Sequence, residues 1–464
     1  MPSSRLTGRG LLALVLVGLG TAVVPLDTAV NIAFPAITRS FGLSISMIQW
    51  VVICYVLTYA SLMLACGRAG DIFGHRRVFR IGLLWDSAAF LLCAAAPSYP
   101  FLLFFRFLQG IGAGLVISVA PALVTGMFPE ERRSRALGAF TMMFALGSVL
   151  GPLLGGALVH AWGWPAVFWF RAPIALLALL FRDPRPAAAG VARPKAEREP
   201  LDVLGAVLLA LALSTLLLAI NQAQHFGAHD YAALPLAAAA LAGIFLFLRR
   251  EGRVATPIVN LEFFRRIGFA LINLANVLVS LTSFAVMLFA PYYLVRLTGL
   301  SLPAAGAVLA ASPLGMVVVS PLAGRIVERI AAERVAAVGA VMAGAGLFLV
   351  GTWSPGQSAE TALIVGVLLL QGLGTGLFQV SYIEVVMRTL PRRQRGVAGS
   401  LAMLTRTIGT VGGATLLTLV FDLAEAGTHG PGAFLAGFRA TFRLAGIVCA
   451  ASGALTALRS RRER

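Results

Sequence analysis

Long apolar stretches alternate along the whole chain with short segments rich in Gly, Pro and charge. A helix that crosses a bilayer needs about 20 mostly apolar residues. Fourteen stretches are read as such helices: 11–36, 46–66, 78–96, 99–125, 135–159, 164–181, 202–221, 231–248, 267–295, 303–323, 335–353, 360–386, 397–420 and 437–458. Helices satisfy their own backbone hydrogen bonds in lipid, so the pattern predicts an all-α polytopic membrane protein. The polar segment before span 1 is short and no cleavage site is clearly placed behind that span. We therefore read span 1 as retained, not as a signal peptide.

Composition agrees. Of 464 residues, 59% are hydrophobic and 12% charged, against about 25% charged in a soluble domain. That balance excludes a soluble globule and a disordered chain. Four Cys exclude a disulfide scaffold. The net charge is +18, but its distribution does not suit nucleic acid. With the N-terminus in the cytoplasm, 30 of the 37 Lys and Arg lie in inner segments and 4 in outer loops. This is the positive-inside bias. It predicts both termini, and the Pro- and charge-rich linker at 182–200, on the cytoplasmic side. Basic residues spread over eight inner segments face anionic lipid, not one nucleic-acid surface.

The two halves repeat. Gly67-Arg68-Ala69-Gly70-Asp71 is echoed by Gly324-Arg325-Ile326-Val327-Glu328, and Gly82 by Gly339, both at an offset of 257. Gln109–Leu115 is echoed by Gln371–Leu377 at 262, Arg132–Arg135 by Arg392–Arg395 at 260, and Gly155-Gly156 by Gly412-Gly413 at 257. Five ordered matches at nearly one offset predict two six-span bundles, 1–182 and 266–464, with linkers and two further spans in 183–265. Copies six spans apart have the same orientation, and rocking between them gives alternating access.

Several motifs carry chemistry. In GRAGDIFGHRR, Gly67 and Gly74 suit a tight reversal, and Asp71 suits a helix cap or an Arg partner. With Arg76 and Arg77 they suit a latch on the inner side. This segment resembles the loop motif of the major facilitator superfamily, with Ile72 and His75 where that motif has basic residues. LLFFRFLQGIGAG, with Arg106 inside the span, resembles its fourth-span motif. GSVLGPLLGG, containing Gly147, Gly151, Pro152, Gly155 and Gly156, resembles its antiporter motif in span 5. LDTAVNIAFP, with Asp27, Thr28 and Asn31, resembles the span-1 motif of the fourteen-span drug:proton antiporters. RGVAGSLAMLTRTIG at Arg395–Gly409 is similar to their span-13 segment. The resemblance covers essentially the whole chain. It implies the major facilitator fold, with two six-helix bundles and two added helices.

Ionisable residues inside a span are functional candidates. Asp27 and Asn31 are four residues apart and so share one helix face. Asp27 is the expected proton-coupling residue, and Arg106 is expected to act on it by charge. Asp86 suits a second proton site, a cation-recognition site or a packing pair with a base. Arg171 suits an anionic substrate or a pair with an acid. Glu384 reads as a solvated or loop-pairing residue, and Arg406 suits a structural or a functional role equally. The four Cys lack metal-ligand spacing and read as small apolar residues. His225, His229 and Asp230 share one outer loop, a weak pattern for metal. Trp50, Trp162, Trp164 and Trp353 read as outer interface anchors. Tyr55 and Tyr59, deeper in span 2, are candidates to line the cavity.

No nucleotide-binding motif is present, so an ion gradient must supply the energy. A buried carboxylate is a natural proton carrier. The expected protein is a monomeric, multi-pass transporter of the cytoplasmic (inner) membrane. It is not an enzyme and uses no cofactor or metal. It exports small amphiphilic drugs in exchange for protons. Two other readings remain: export of one endogenous metabolite (an amino acid, antibiotic or siderophore), and proton-coupled uptake, which the span-5 motif disfavours. A membrane enzyme is disfavoured because no nucleophile, base and metal-ligand cluster appears.

Overall fold

The computed structural model describes residues 8–128, 130–180, scattered positions between 204 and 219, and 233–254, 267–353, 361–389, 395–428 and 432–462. The 182–200 linker and the His225/His229 loop lie outside the described residues. Among the described residues the chain is all helix. Among the described residues, ten helical spans are long and apolar enough to cross a membrane.

Span 1 is not one helix. It comprises α1 (Gly8–Ala22), a 3-10 turn (Pro25–Thr28) and α2 (Ala29–Phe41). Pro25 has no N–H to continue the ladder, and the turn is closed by Val24 N–H to the Thr21 carbonyl and Asp27 N–H to the Val24 carbonyl. Spans 2 to 5 are α3 (Ile45–Phe73), α4 (His75–Ala94), α5 (Tyr99–Met127) and α6 (Glu130–Trp162). Span 6 is split into α7 (Ala166–Trp169) and α8 (Arg171–Ala178). After α9 (Ala233–Glu251), the second half comprises α10 (Ile267–Arg296), α11 (Leu302–Leu309), α12 (Ala311–Arg329), α13 (Ala332–Val350), α14 (Thr361–Thr389), α15 (Arg395–Ala426) and α16 (Ala433–Arg462).

The repeat is realised contact by contact. A Cβ on Gly82 would press on Leu115 and Val116, and one on Gly339 on Leu377 and Phe378. Gly110 abuts the Tyr55 carbonyl and Gly372 the Ser312 carbonyl. Gly112 faces Asp86 and Gly374 faces Ala343. Each glycine lets two helix backbones approach where any side chain would hold them apart.

The apolar core falls into two clusters. One comprises the end of the first half where span 1 finishes, from Ala29 to Ile37 and Ile48 to Leu57, and continues without a break into α10–α16. The other is confined to the first half, from Ala13 to Val24, Val78 to Phe90 and Ala172 to Ala178. Side-chain links between the halves lie at the end where span 1 finishes: Thr38 with the Tyr292 hydroxyl, and the Thr418 hydroxyl donating to Gln49. There too, Gly156 meets the Leu302 backbone and Gly306 the Pro152 carbonyl. The halves are thus joined by a shared core at that end.

The segment from Gly67 to Arg77 is not a loop. α3 runs to Phe73, Gly74 alone turns the chain at φ 90°, and α4 begins at His75. Gly67 therefore takes no part in the reversal and meets only ordinary contact with Ser118. Arg76 and Arg77 are exposed at the start of α4. The Asp71 side chain lies outside the described residues. Trp353 also departs from expectation. It is buried, packed on Tyr293 and Phe438, because the end of α10, the end of α13 and the start of α16 converge there.

Candidate functional site

The two core clusters of the first half are separated by a polar layer. The turn at Pro25–Thr28 lifts Asp27 out of the helix ladder and aims its carboxylate at α5 and at the α7/α8 junction. Arg106 on α5 grips both oxygens, Nη1 to Oδ1 and Nη2 to Oδ2, each at 2.7 Å. Arg171, the first residue of α8, adds Nη1 to Oδ1 at 2.6 Å. Gln109, one turn beyond Arg106, donates Nε2 to Oδ1 at 3.1 Å. A bidentate guanidinium and two further polar groups, from α5 and α8, hold one carboxylate.

The arginines are themselves fixed. Arg106 Nε donates to the Val51 carbonyl and Nη1 to Gln109 Oε1, both at 2.7 Å. Its guanidinium lies 4.3 Å from the centre of the Tyr55 ring. Arg171 Nε donates to the Val167 carbonyl at 3.1 Å, and its guanidinium lies 4.4 Å from the Phe90 ring. Both arginines are fully buried, whereas Asp27 retains 13% side-chain exposure. Desolvated guanidinium groups over aromatic faces gain about 2 kcal/mol each. Tyr55 is thus a buried platform for Arg106, with its hydroxyl unpartnered, and not a cavity wall.

The span-5 glycines shape this layer from behind. Gly147, Gly151 and Gly155 form one face of α6, against Pro25, Thr28 and Ala29. Pro152 and Gly156 form another face, against Gly306 and Leu302 of the second half. The same helix therefore touches the Asp27 turn and the joint between the halves.

Asp86 is fully buried on α4 against Gly112, and neither carboxylate oxygen has a hydrogen-bond partner. The pair with a base that its sequence allowed is not made. Arg171, by contrast, does pair with an acid. Asn31 is half-buried on α2 and is not among the groups that hydrogen-bond Asp27. Glu384 pairs with Arg388 at 2.6 Å on an exposed turn. Arg406 is exposed on α15 and within electrostatic range of Tyr59 in the other half. The four Cys are free thiols, and among the described residues no His, Cys, Asp and Glu cluster suits a metal.

One polar cluster was missed from sequence. In the second half Asn276 Nδ2 donates to Thr405 Oγ1 at 2.8 Å, Gln379 Nε2 to Asn276 Oδ1 at 3.1 Å, and the Tyr382 hydroxyl to Asn273 Oδ1 at 2.9 Å. The available signal was two Asn one turn apart within an apolar run. They carry no charge, and a search for ionisable groups passes over them.

Two matches to one family model, Major Facilitator Superfamily, cover residues 11–271 and 272–464. The chain belongs to the major facilitator superfamily. This facilitator is 31% identical over 410 residues to the multidrug resistance protein Stp of Mycobacterium tuberculosis, covering 88% of this chain and 75% of Stp. It is 28% identical over 443 residues to the methylenomycin A resistance protein of Bacillus subtilis, covering 95% and 93%. Its fold matches that of a bacterial homologue of the human lysosomal transporter Spinster, crystallised inward-facing and unoccupied, with a TM-score of 0.70, 18% identity and 98% of each chain covered. The facilitator is a multi-pass membrane transporter of small molecules, not an enzyme.

Proposed function

We propose that this facilitator is a fourteen-span drug:proton antiporter that exports amphiphilic small molecules across the cytoplasmic membrane. In this reading both termini are cytoplasmic and the protein works as a monomer. The bundles 1–182 and 266–464 rock about a central site, with spans 7 and 8 at their side.

One observation carries the reading: a partly reachable carboxylate, Asp27, is held by two buried arginines on a turn that packs on α6. A proton added to Asp27 removes the charge that both arginines bind. The turn then loosens against Gly151 and Gly155. Because α6 also touches Leu302 and Gly306 through Gly156 and Pro152, the change reaches the joint between the halves. Ionised Asp27 corresponds to the conformer that loads cargo from the inside, and a proton from outside resets it after release. The shared core at the outer end supports an inward-facing state for the structure described here. No cofactor enters this cycle; the proton gradient drives it. At the turn between α3 and α4, Gly74, Arg76 and Arg77 form the inner latch of the opposite state.

The test is substrate-evoked proton release from vesicles. Asp27→Asn keeps size and hydrogen-bonding capacity but cannot cycle a proton. It should insert normally and lose coupled release. Normal release by that variant overturns the proton-coupling role.

A second reading, export of one metabolite, is favoured by the near end-to-end match to a protein named for resistance to a single antibiotic. A panel of dyes and antibiotics, with and without an uncoupler, separates the two. Broad uncoupler-sensitive exclusion supports multidrug export, and exclusion of one compound supports the second reading.

A further inference from the structure

The mechanism above leaves one buried acid unused. Asp86 is fully shielded from solvent, and neither oxygen has a hydrogen-bond partner. A buried ionised carboxylate without partners costs several kcal/mol, and proteins avoid it by binding a proton. Two carboxylates therefore sit in one layer in opposite states. Asp27, with four hydrogen bonds from cations and an amide, is ionised. Asp86, with none, is the neutral acid. Environments that drive two nearby acids apart mark a site where protons are exchanged.

Packing does not require an acid at this position. The repeat-related contact in the second half sets Ala343 against Gly374, where the first half sets Asp86 against Gly112. The same helix crossing forms there around a methyl group. Asp86 is therefore extra to the architecture.

Arg171 bonds one acid and lies within electrostatic range of the other. Its Nη1 is on Asp27, while its Nη2 is buried and unpartnered. Its guanidinium rests on Phe90, one turn along α4 from Asp86 on the same face. The charged and titratable groups acting on Asp86 come from every element around it: Arg171 from α8, Asp27 from the turn, Arg106 from α5, Tyr55 from α3 and Cys93 from α4 itself. Of the two arginines, Arg106 is tied at four points and Arg171 has a free amino group.

We propose that Asp86 is a second proton-binding residue, neutral in this conformer, and that Arg171 alternates between Asp27 and Asp86. When Asp27 takes up a proton, Arg171 loses its partner and turns to Asp86, which gives up its own proton and becomes the ionised member. One proton enters the layer and one leaves, so the layer carries one net positive charge before and after. This deepens the antiport reading above and rests on it.

The test is infrared difference spectroscopy of the purified protein at neutral pH, without substrate or gradient. The readout is the carbonyl stretch of a neutral carboxylic acid. Asp86→Asn should remove this band from the wild-type spectrum, and Asn is the closest neutral mimic of the acid, so folding should survive. Asp27→Asn should also weaken or abolish the Asp86 band, because Arg171 is freed to pair with Asp86. Adding Arg171→Gln to Asp27→Asn should restore it. This rescue tests the proposal even if Asp86→Asn fails to accumulate, since a purely structural acid would not respond to either change. A wild type without the band, or a band indifferent to Asp27→Asn, overturns the proposal. Absent proton release with the band pattern intact supports Asp86 as a proton site and overturns the export reading alone.

Discussion

Thr28 does for α6 what Pro152 prevents α6 from doing for itself. Pro152 has no N–H, so the Ser148 carbonyl four residues earlier loses its helical donor. The Thr28 hydroxyl lies 3.2 Å from that carbonyl and 2.9 Å from its own Pro25 carbonyl, and is shared between them. Only a glycine at 151 lets Thr28 come so close, since a Cβ there would collide with its Oγ1. The residue next to the proposed coupling acid is thereby linked to span 5.

Replacing Thr28 by Val keeps the shape and deletes the donor. A buried carbonyl left without a partner costs about 1–3 kcal/mol. We expect a lower melting temperature in detergent for Thr28→Val and near-normal behaviour for Thr28→Ser. Equal melting of all three proteins would show that the shared hydroxyl contributes nothing.

Bulk on either glycine face of α6 should separate stability from transport. Gly151→Leu drives a side chain into Thr28 and Ala29, and Gly156→Leu drives one into Leu302 and Pro303. Overpacking costs about 1–3 kcal/mol and shifts populations between conformers. Both variants should insert and fail to export. Gly156→Leu should, in addition, open the outer side, read as faster thiol labelling at Ile37→Cys, a position with 0% exposure here. Normal export by both removes the role given to span 5.

The two arginines should not be equivalent. Arg106 binds both oxygens of Asp27, Gln109 and Val51, whereas Arg171 binds one oxygen of Asp27 and Val167. Breaking a buried pair costs about 3–5 kcal/mol. Arg106→Gln should lie at that end and Arg171→Gln below it, compared by thermal unfolding. Arg106→Lys should not rescue, because an ammonium cannot make the two-point grip. A larger loss for Arg171→Gln would reverse the assignment of fixed and mobile arginine.

Beside its apolar core, the joint between the halves is bridged by two side-chain hydrogen bonds, Thr38 with Tyr292 and Thr418 with Gln49. Each contributes about 0.5–1.5 kcal/mol. Tyr292→Phe with Thr418→Val should raise Ile37→Cys labelling several-fold without lowering protein levels. Unchanged labelling would mean that the apolar core alone holds the joint.

An all-helical, membrane-crossing fold was legible because lipid leaves a backbone one solution, and apolar length reveals it. The repeat was legible because glycines at helix crossings leave no room for alternatives: Gly82 with Gly339 and Gly112 with Gly374 face matching neighbours. Arg106 and Asp27 stood out because a charge in a span has few tolerable settings. Partners were another matter. Asp27 and Arg171 are 144 residues apart, and nothing local distinguishes a base that will meet Asp27 from one that will meet Asp86. Apolar length alone made span 1 a single run; the 3-10 turn at Pro25–Thr28, packed on α6, was visible only in the fold. The chain by itself determined where charge would be buried, since burial follows from composition along the helix. Which charges neutralise one another, and that Asp86 has no such partner, was decided by how α4, α5, α6 and α8 converge on the turn, because pairing depends on side-chain directions across helices distant in sequence.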